Sequence, residues 1–141
     1  MFTVQSFKTS DPQIEAAFEI RRKVFVEEQH VSREEEYDGF EDSSIHYLVY
    51  VKDAPVGTAR WRRTDKGIKL ERFAVLKEFR NSGAGSAVLN KVLEDVLPFN
   101  ERIYLNAQIT AVNFYLKVGF VKEGDEFMEA NIRHYQMTKT K

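Results

Sequence analysis

The 141-residue chain contains no cysteine. That excludes disulfides, thiolate metal sites and a cysteine nucleophile, and it fits a reducing compartment. Charge of one sign is also missing: 21 lysines and arginines against 22 acids leave a formal net charge of −1. No global basic field attracts nucleic acid, so none is expected as a partner. No apolar run approaches the ~18 residues of a membrane-spanning helix. Met1-Phe2-Thr3-Val4-Gln5-Ser6-Phe7-Lys8 has neither the basic start nor the apolar core of a secretory leader. The expected setting is the cytoplasm, with no membrane partner. There is no low-complexity linker and no internal repeat. What is present, 43% hydrophobic and 30% charged residues, suits one globular domain over residues 1–141 with a core that needs no staples.

The pattern along the chain predicts a mixed α/β domain. Phe2 to Phe7 alternates as a first strand, and Asp11-Pro12 offers an N-cap followed by proline at the first helical position. Ile14, Ala17, Phe18, Val24 and Phe25 then repeat at helical spacing through Glu28. The polar stretch Gln29 to Ser44 reads as a short helix plus loop. Ile45–Lys52, Val56–Arg63 and Ile68–Val75, separated by turn signals, form a meander of three strands. Val88, Leu89, Val92, Leu93 and Val96 mark one helix face, and Pro98 stops that helix. Ile103, Leu105 and Ala107 alternate on the next strand. Ala111, Phe114, Tyr115 and Val118 share a helical face, Gly119 suits the position after the helix end, and Ile132 to Met137 closes the chain as a strand. The expected order is β-α-(α)-β-β-β-α-β-α-β around a mostly antiparallel mixed sheet flanked by helices.

Between the strand Leu70–Val75 and the amphipathic helix lies Arg80-Asn81-Ser82-Gly83-Ala84-Gly85-Ser86, an Arg-x-x-Gly-x-Gly loop. Amides at a helix start lack intrahelical partners and carry the positive end of the helix dipole. Glycines let a ligand approach those amides, so the loop suits a phosphate or pyrophosphate. Two glycines alone are equally consistent with an ordinary surface turn. A P-loop is excluded because Gly85 is followed by Ser86 and Ala87 with no lysine. A dinucleotide fingerprint is excluded because the third glycine is missing and the loop follows a meander.

This loop resembles the acetyl-CoA pyrophosphate loop of the GNAT N-acetyltransferase superfamily. Downstream, Ala111-Val112-Asn113-Phe114-Tyr115-Leu116-Lys117-Val118-Gly119-Phe120 resembles the superfamily's second motif, Ala-x-x-Phe-Tyr-x-Lys-x-Gly-Phe. Upstream, Val24-Phe25-Val26-Glu27-Glu28-Gln29, with Glu36, Asp38 and His46, is similar to the ElaA/YjcF-like branch. The resemblance implies an acetyl-CoA-dependent N-acetyltransferase acting by direct attack of an amine in a ternary complex. It implies that backbone groups of Phe73, Ala74 and Val75 pair with the pantetheine arm, as an added strand would. It implies that amides of Asn81, Ser82, Gly83, Ala84, Gly85 and Ser86 hold the pyrophosphate, with Arg80 nearby, and that Ala111, which opens the second motif, also binds the cofactor. Gln108 stands where the family usually has an asparagine on the cofactor arm, with the same donors and acceptor on a longer side chain.

Tyr115 matches the family's general acid for the departing thiolate; from its helical face alone it would read as a core aromatic. Glu71, on the strand beside the thioester, is the candidate base, or else a strand carboxylate paired with Arg60, Arg62 or Arg72. Glu27 to Asp42 carries eight carboxylates and one arginine, Arg33. Such a run is usually a solvated face, yet in this superfamily the position often forms the acceptor wall. Glu28, Asp38 and His46 are therefore the candidates for binding a small cationic amine. No metal-ligand spacing appears among the acids or among His30, His46 and His134, so no metal is expected. Arg60, Arg62, Arg63, Lys66 and Lys69 suggest strand ion pairs or attraction of cofactor phosphates. A monomer or homodimer is expected. The competing reading is a non-catalytic acyl-CoA-binding or regulatory module that works through a protein partner.

Overall fold

Residues 1–139 are described in the computed structural model of the chain. Strand β1 (Phe2–Phe7) leads to helix α1 (Ile14–Arg21), which continues as a π-helical segment, Arg22–Glu28, and then the short α2 (Arg33–Glu36). The meander is β2 (Ser44–Val51), β3 (Ala54–Thr64) and β4 (Gly67–Val75). Helix α3 (Ala84–Val96) crosses to β5 (Ile103–Gln108), and α4 (Val112–Leu116) leads to β6 (Phe120–Glu129) and β7 (Ile132–Lys139). All seven strands form one sheet in the order β1-β2-β3-β4-β5-β7-β6. Only β4 and β5 run parallel; the other neighbours are antiparallel.

Helices cover both faces, which is why β2 reads as a nearly continuous apolar run rather than an alternation. Tyr47 and Val49 point to α3, where Val88, Leu89, Val92 and Val96 are fully buried. Leu48 points the other way, to Ile14, Ala17, Ile20, Val24 and Phe25.

Two elements depart from the sequence pattern. Asp11-Pro12 lies in the turn before α1: the Asp11 carboxylate accepts the Lys8 amide, and helical residues begin at Ile14. The helix is also not uniformly α. From Arg22 it widens, and the Gln29 amide bonds Val24 O five residues back at 3.1 Å. The additional strand β6 carries Lys122, Glu123, Gly124, Asp125 and Glu126, mostly exposed, and its pairing with β7 breaks register between Glu123 and Phe127. With one side exposed and a bulge in the middle, it shows neither apolar alternation nor a continuous run.

The site is prepared by a bulge and a splay. Thr58 faces Ala74 and Arg60 faces Glu71, so Ala59 opposes two residues, Arg72 and Phe73. Arg72 takes φ +60°, a conformation costing an L-residue ~1–2 kcal/mol. The extra residue switches the facing of β4. Ile68 and Leu70 point to the α3 core before it, whereas after it Phe73 and Val75 do, and Ala74 packs against the α1 side. Pairing with β5 covers only Ile68–Leu70 against Ile103–Leu105. Beyond that the two strands diverge.

Candidate active site

The divergence leaves a wedge between the carboxyl ends of β4 and β5, with one backbone edge of Phe73–Val75 unpaired by β5. Ligands in α/β sheets characteristically bind in such a crevice. At one end stands the amino terminus of α3. Gly83 is its N-cap with φ +99°, Asn81 has φ +61°, and no acidic side chain occupies the first helical turn. The Ala87 amide already bonds Gly83 O, so the amides of Ala84, Gly85 and Ser86 are the ones without helical acceptors. A Cβ on Gly85 would meet Phe114 Cζ at 3.6 Å and Val75 Cγ2 at 3.8 Å, which puts the glycine at the wall of the wedge.

At the other end a cavity of about 570 Å³ opens, lined by Gln29, Asp38, Arg62, Lys69, Glu71, Arg72, Phe73, Asn106, Gln108, Ala111, Tyr115, Glu129 and His134 among others. Tyr115 sits on α4 at 6% exposure, edge-on to Phe73, Phe114 and Phe120. Burial alone pushes its pKa up, so the phenol keeps its proton near neutral pH.

Beneath the cavity lies a network of buried charge. Arg60, 1% exposed, donates to Glu71 at 3.1 Å, Glu41 at 2.9 Å and Asp38 at 2.5 Å. Arg62 and Lys69 also hold Glu71, at 2.5 and 3.3 Å. Arg21, buried on α1, pairs with buried Glu36, and Arg72 reaches Glu36 and Asp38. These pairs tie α2 and the loop after it to the sheet. Because each partner would be left charged in a dry site without the other, the network fixes the cavity wall in one arrangement. Burial by itself would raise Glu71, but Arg60, Lys69 and Arg62 overcome it and lower its pKa. Asp38 is likewise pulled down to about 2, with burial opposed by Arg60, the Phe40 amide and Arg72.

The model of the acetyltransferase (GNAT) domain family matches residues 8–141. The chain belongs to the GNAT acetyltransferase family. It is 44% identical over 133 residues to the N-acetyltransferase YjcF of Bacillus subtilis (strain 168), covering 92% of this chain and 94% of that one. Its fold superposes on Escherichia coli ElaA with a TM-score of 0.87 at 26% identity, over 99% of this chain and 100% of ElaA. A GNAT acetyltransferase from Elizabethkingia anophelis with acetyl-CoA bound shares the fold at a TM-score of 0.71 and 17% identity, over 97% and 94% of the two chains.

Within this acetyltransferase, the residues expected from sequence do not all meet. Tyr115, Glu71, Asp38, Gln108, Phe73 and Ala111 line the same cavity. His46 does not reach it, a correction to its expected place on the acceptor wall. It is 1% exposed on β2, stacked on Phe7, with Nε2 3.0 Å from Glu41 O. Burial lowers its pKa; the Glu41 hydrogen bond opposes this, while Arg21 and Arg60 add to it. Glu28 is likewise not on the acceptor wall: its carboxylate accepts from Arg80 Nη2 at 2.7 Å. Arg80 Nε in turn bonds Val75 O at 3.0 Å, so this arginine rests on the free edge of β4. Gln108 pairs reciprocally with Gln29, its Nε2 donating at 2.8 Å, which joins the end of the π-helical segment to β5 across the cavity.

Sequence reasoning missed His134, Glu129, Asn106, Lys69 and Gln29 at this cavity. His134 faces Gln108 in the β5–β7 register, and Glu129 sits near the end of β6, the strand that was not predicted. Only the order of strands brings them here. Among the described residues, no group of three or more His, Asp or Glu side chains is arranged to hold a metal ion, and no helix is long and apolar enough to cross a membrane.

Proposed function

We propose that the chain is an acetyl-CoA-dependent N-acetyltransferase that acetylates a small cationic primary amine by direct attack within a ternary complex. The observation that carries this reading is the wedge itself, with its free β4 edge running from the α3 amino terminus to the cavity under Tyr115. A thioester with an extended, amide-bearing arm and a pyrophosphate matches those features in order. The edge of Phe73, Ala74 and Val75 receives the arm as an added strand would. The amides of Asn81 to Ser86 receive the pyrophosphate. Arg80 leaves Val75 O to join the phosphates, and Gln108 turns from Gln29 towards the arm.

The acceptor class follows from the charge around the cavity. Six carboxylates line it (Glu34, Glu35, Glu36, Asp38, Glu71 and Glu129) against three cations, Arg62, Lys69 and Arg72. Among the described residues Glu34, Glu35 and Glu129 form no ion pair with lysine or arginine, so the lining carries an excess of negative charge that favours a cationic amine.

In the reaction the amine nitrogen bonds to the acetyl carbon as the carbon–sulfur bond breaks. Holding the two reactants together supplies a large part of the acceleration. Tyr115 gives its proton to the departing sulfur and is restored by a proton from the acylated nitrogen. This coupling matters because burial makes the phenol a weak acid on its own. Glu71, committed to three cations and lowered in pKa, is a poor proton acceptor. Its role is to neutralise Arg60, Arg62 and Lys69 beside the acetyl site. Cysteine plays no part, since the chain has none. We place the enzyme in the cytoplasm as a monomer or homodimer.

Tyr115→Phe is the direct test. Turnover should fall by about 10²- to 10⁴-fold while acetyl-CoA still raises the melting temperature. A variant that binds the cofactor and turns over at the wild-type rate contradicts the role given to Tyr115. A protein that binds acetyl-CoA but releases no CoA with any amine supports instead the non-catalytic acyl-CoA-binding module.

A further inference from the structure

With Glu71 tied up by cations, the ammonium form of the acceptor still needs somewhere to put its proton. We propose that His134 is the group that takes it, an inference that rests on the amine-acetylation reading. His134 is 5% exposed and lines the same cavity as Tyr115. Its Nδ1 lies 2.7 Å from Ile132 O. A carbonyl oxygen can only accept, so Nδ1 carries the hydrogen, and in the neutral ring Nε2 holds the free lone pair. The ring cannot easily turn away, because it is stacked on Phe127 at 5.7 Å between centroids.

Glu129 Oε2 lies 3.8 Å from Nε2. That carboxylate faces the nitrogen that becomes positive on protonation, and among the described residues no lysine or arginine neutralises it. Asn106 Nδ2 touches its other oxygen only at 3.4 Å. The hydrogen bond fixes the tautomer on Nδ1 and leaves the Nε2 lone pair beside a carboxylate, the arrangement a proton acceptor needs.

The proton balance closes. The acceptor R–NH3⁺ gives one proton to His134 Nε2 and becomes the nucleophile. The nitrogen–carbon bond forms and the carbon–sulfur bond breaks. The sulfur takes the Tyr115 proton, the second nitrogen proton restores Tyr115, and His134 passes the first proton to water.

The test separates deprotonation from positioning. Wild type and His134→Asn are assayed near pH 7.5 with a simple alkylamine, mostly ammonium there, and with a fluorinated amine of the same shape that is mostly neutral. Asparagine can keep a donor near the Nδ1 position but offers no lone pair of comparable basicity. The variant should lose about 10²- to 10⁴-fold in kcat/KM with the alkylamine and less than about threefold with the neutral amine. Its thermal shift with acetyl-CoA should be retained. Equal losses on the two amines, or none on either, overturn the assignment.

A second readout does not depend on turnover. The ¹⁵N signature of His134 in the free protein should be that of the Nδ1–H tautomer, and an Nε2–H tautomer overturns the proposal. If the wild type acetylates neither amine, the amine-acetylation reading falls and this inference with it. If it acetylates both, the variant decides His134 alone.

Discussion

Glu71 carries the clearest consequence of the buried charge network. It is held by Arg60, Arg62 and Lys69 at 8% side-chain exposure. Glu71→Gln leaves three cations short of a partner, so it should destabilise the fold by about 3 kcal/mol, measured by urea unfolding. Cost to stability, rather than selective loss of catalysis, is the signature of a structural carboxylate. The same network sets the pH dependence of stability. Glu71 and Asp38 have lowered pKa values when folded, so their contribution is full above the ordinary carboxylate range. It is lost as pH falls through the folded values, about 2 for Asp38. His46 is also lowered, so below about 6.5 the unfolded chain takes up its proton first. The melting temperature should therefore be flat between neutrality and about pH 9, fall above about pH 10 as the unfolded chain ionises tyrosines such as Tyr115 first, decline gently below about pH 6.5 and fall steeply below about pH 4.5. A melting temperature that rises on acidification from neutrality contradicts the network. The sequence offered both outcomes for Glu71, base or ion pair, because a strand carboxylate beside arginines looks the same in either case. Only the register of β3 against β4 brings Arg60 and Glu71 side by side.

The turn into α3 makes the two glycines separable. Gly83 sits at φ +99°, where an L-residue costs ~1–2 kcal/mol, and a Cβ there would stand 3.3 Å from Phe2 Cε2. Gly83→Ala should thus lower stability by about that amount. A Cβ on Gly85 makes only ordinary contacts with Phe114 and Val75. Gly85→Glu should leave the fold intact and weaken acetyl-CoA binding by at least about tenfold, ~1.4 kcal/mol, read by calorimetry. The α3 face, the glycine loop and the meander were legible in the sequence because each is a local pattern of spacing. The π-helical widening after Arg21 was not: the repeat of Val24 and Phe25 fits α-helical spacing equally well. Strand β6 was hidden for a different reason. Its middle residues are charged and exposed, so its existence depends on pairing with β7 rather than on its own composition.

Taken as one molecule, the proposed ligand site is the wedge where two parallel strands part, and that geometry depends on the whole sheet. The loop and the Tyr115 motif, which carry the proposed donor side, were legible because both lie in short contiguous segments. The proposed acceptor side draws on α2, β4, β5, β6 and β7, so His134 and Glu129 are brought to the cavity only by the fold, while His46 and Glu28 lie outside it. A ligand that fills the wedge stabilises the folded state alone. Acetyl-CoA at about 100 times its Kd adds ~2.7 kcal/mol, or roughly 8 °C in melting temperature for a domain of this size. Acetyl transfer to a cationic amine is the central claim, and its most direct measurement is release of free CoA thiol from acetyl-CoA across a panel of small amines, carboxylates and neutral alcohols. Thiol should be released with cationic primary amines, and none with carboxylates or alcohols. Thiol release with no amine at all, or the same rate with every acceptor, would contradict that claim.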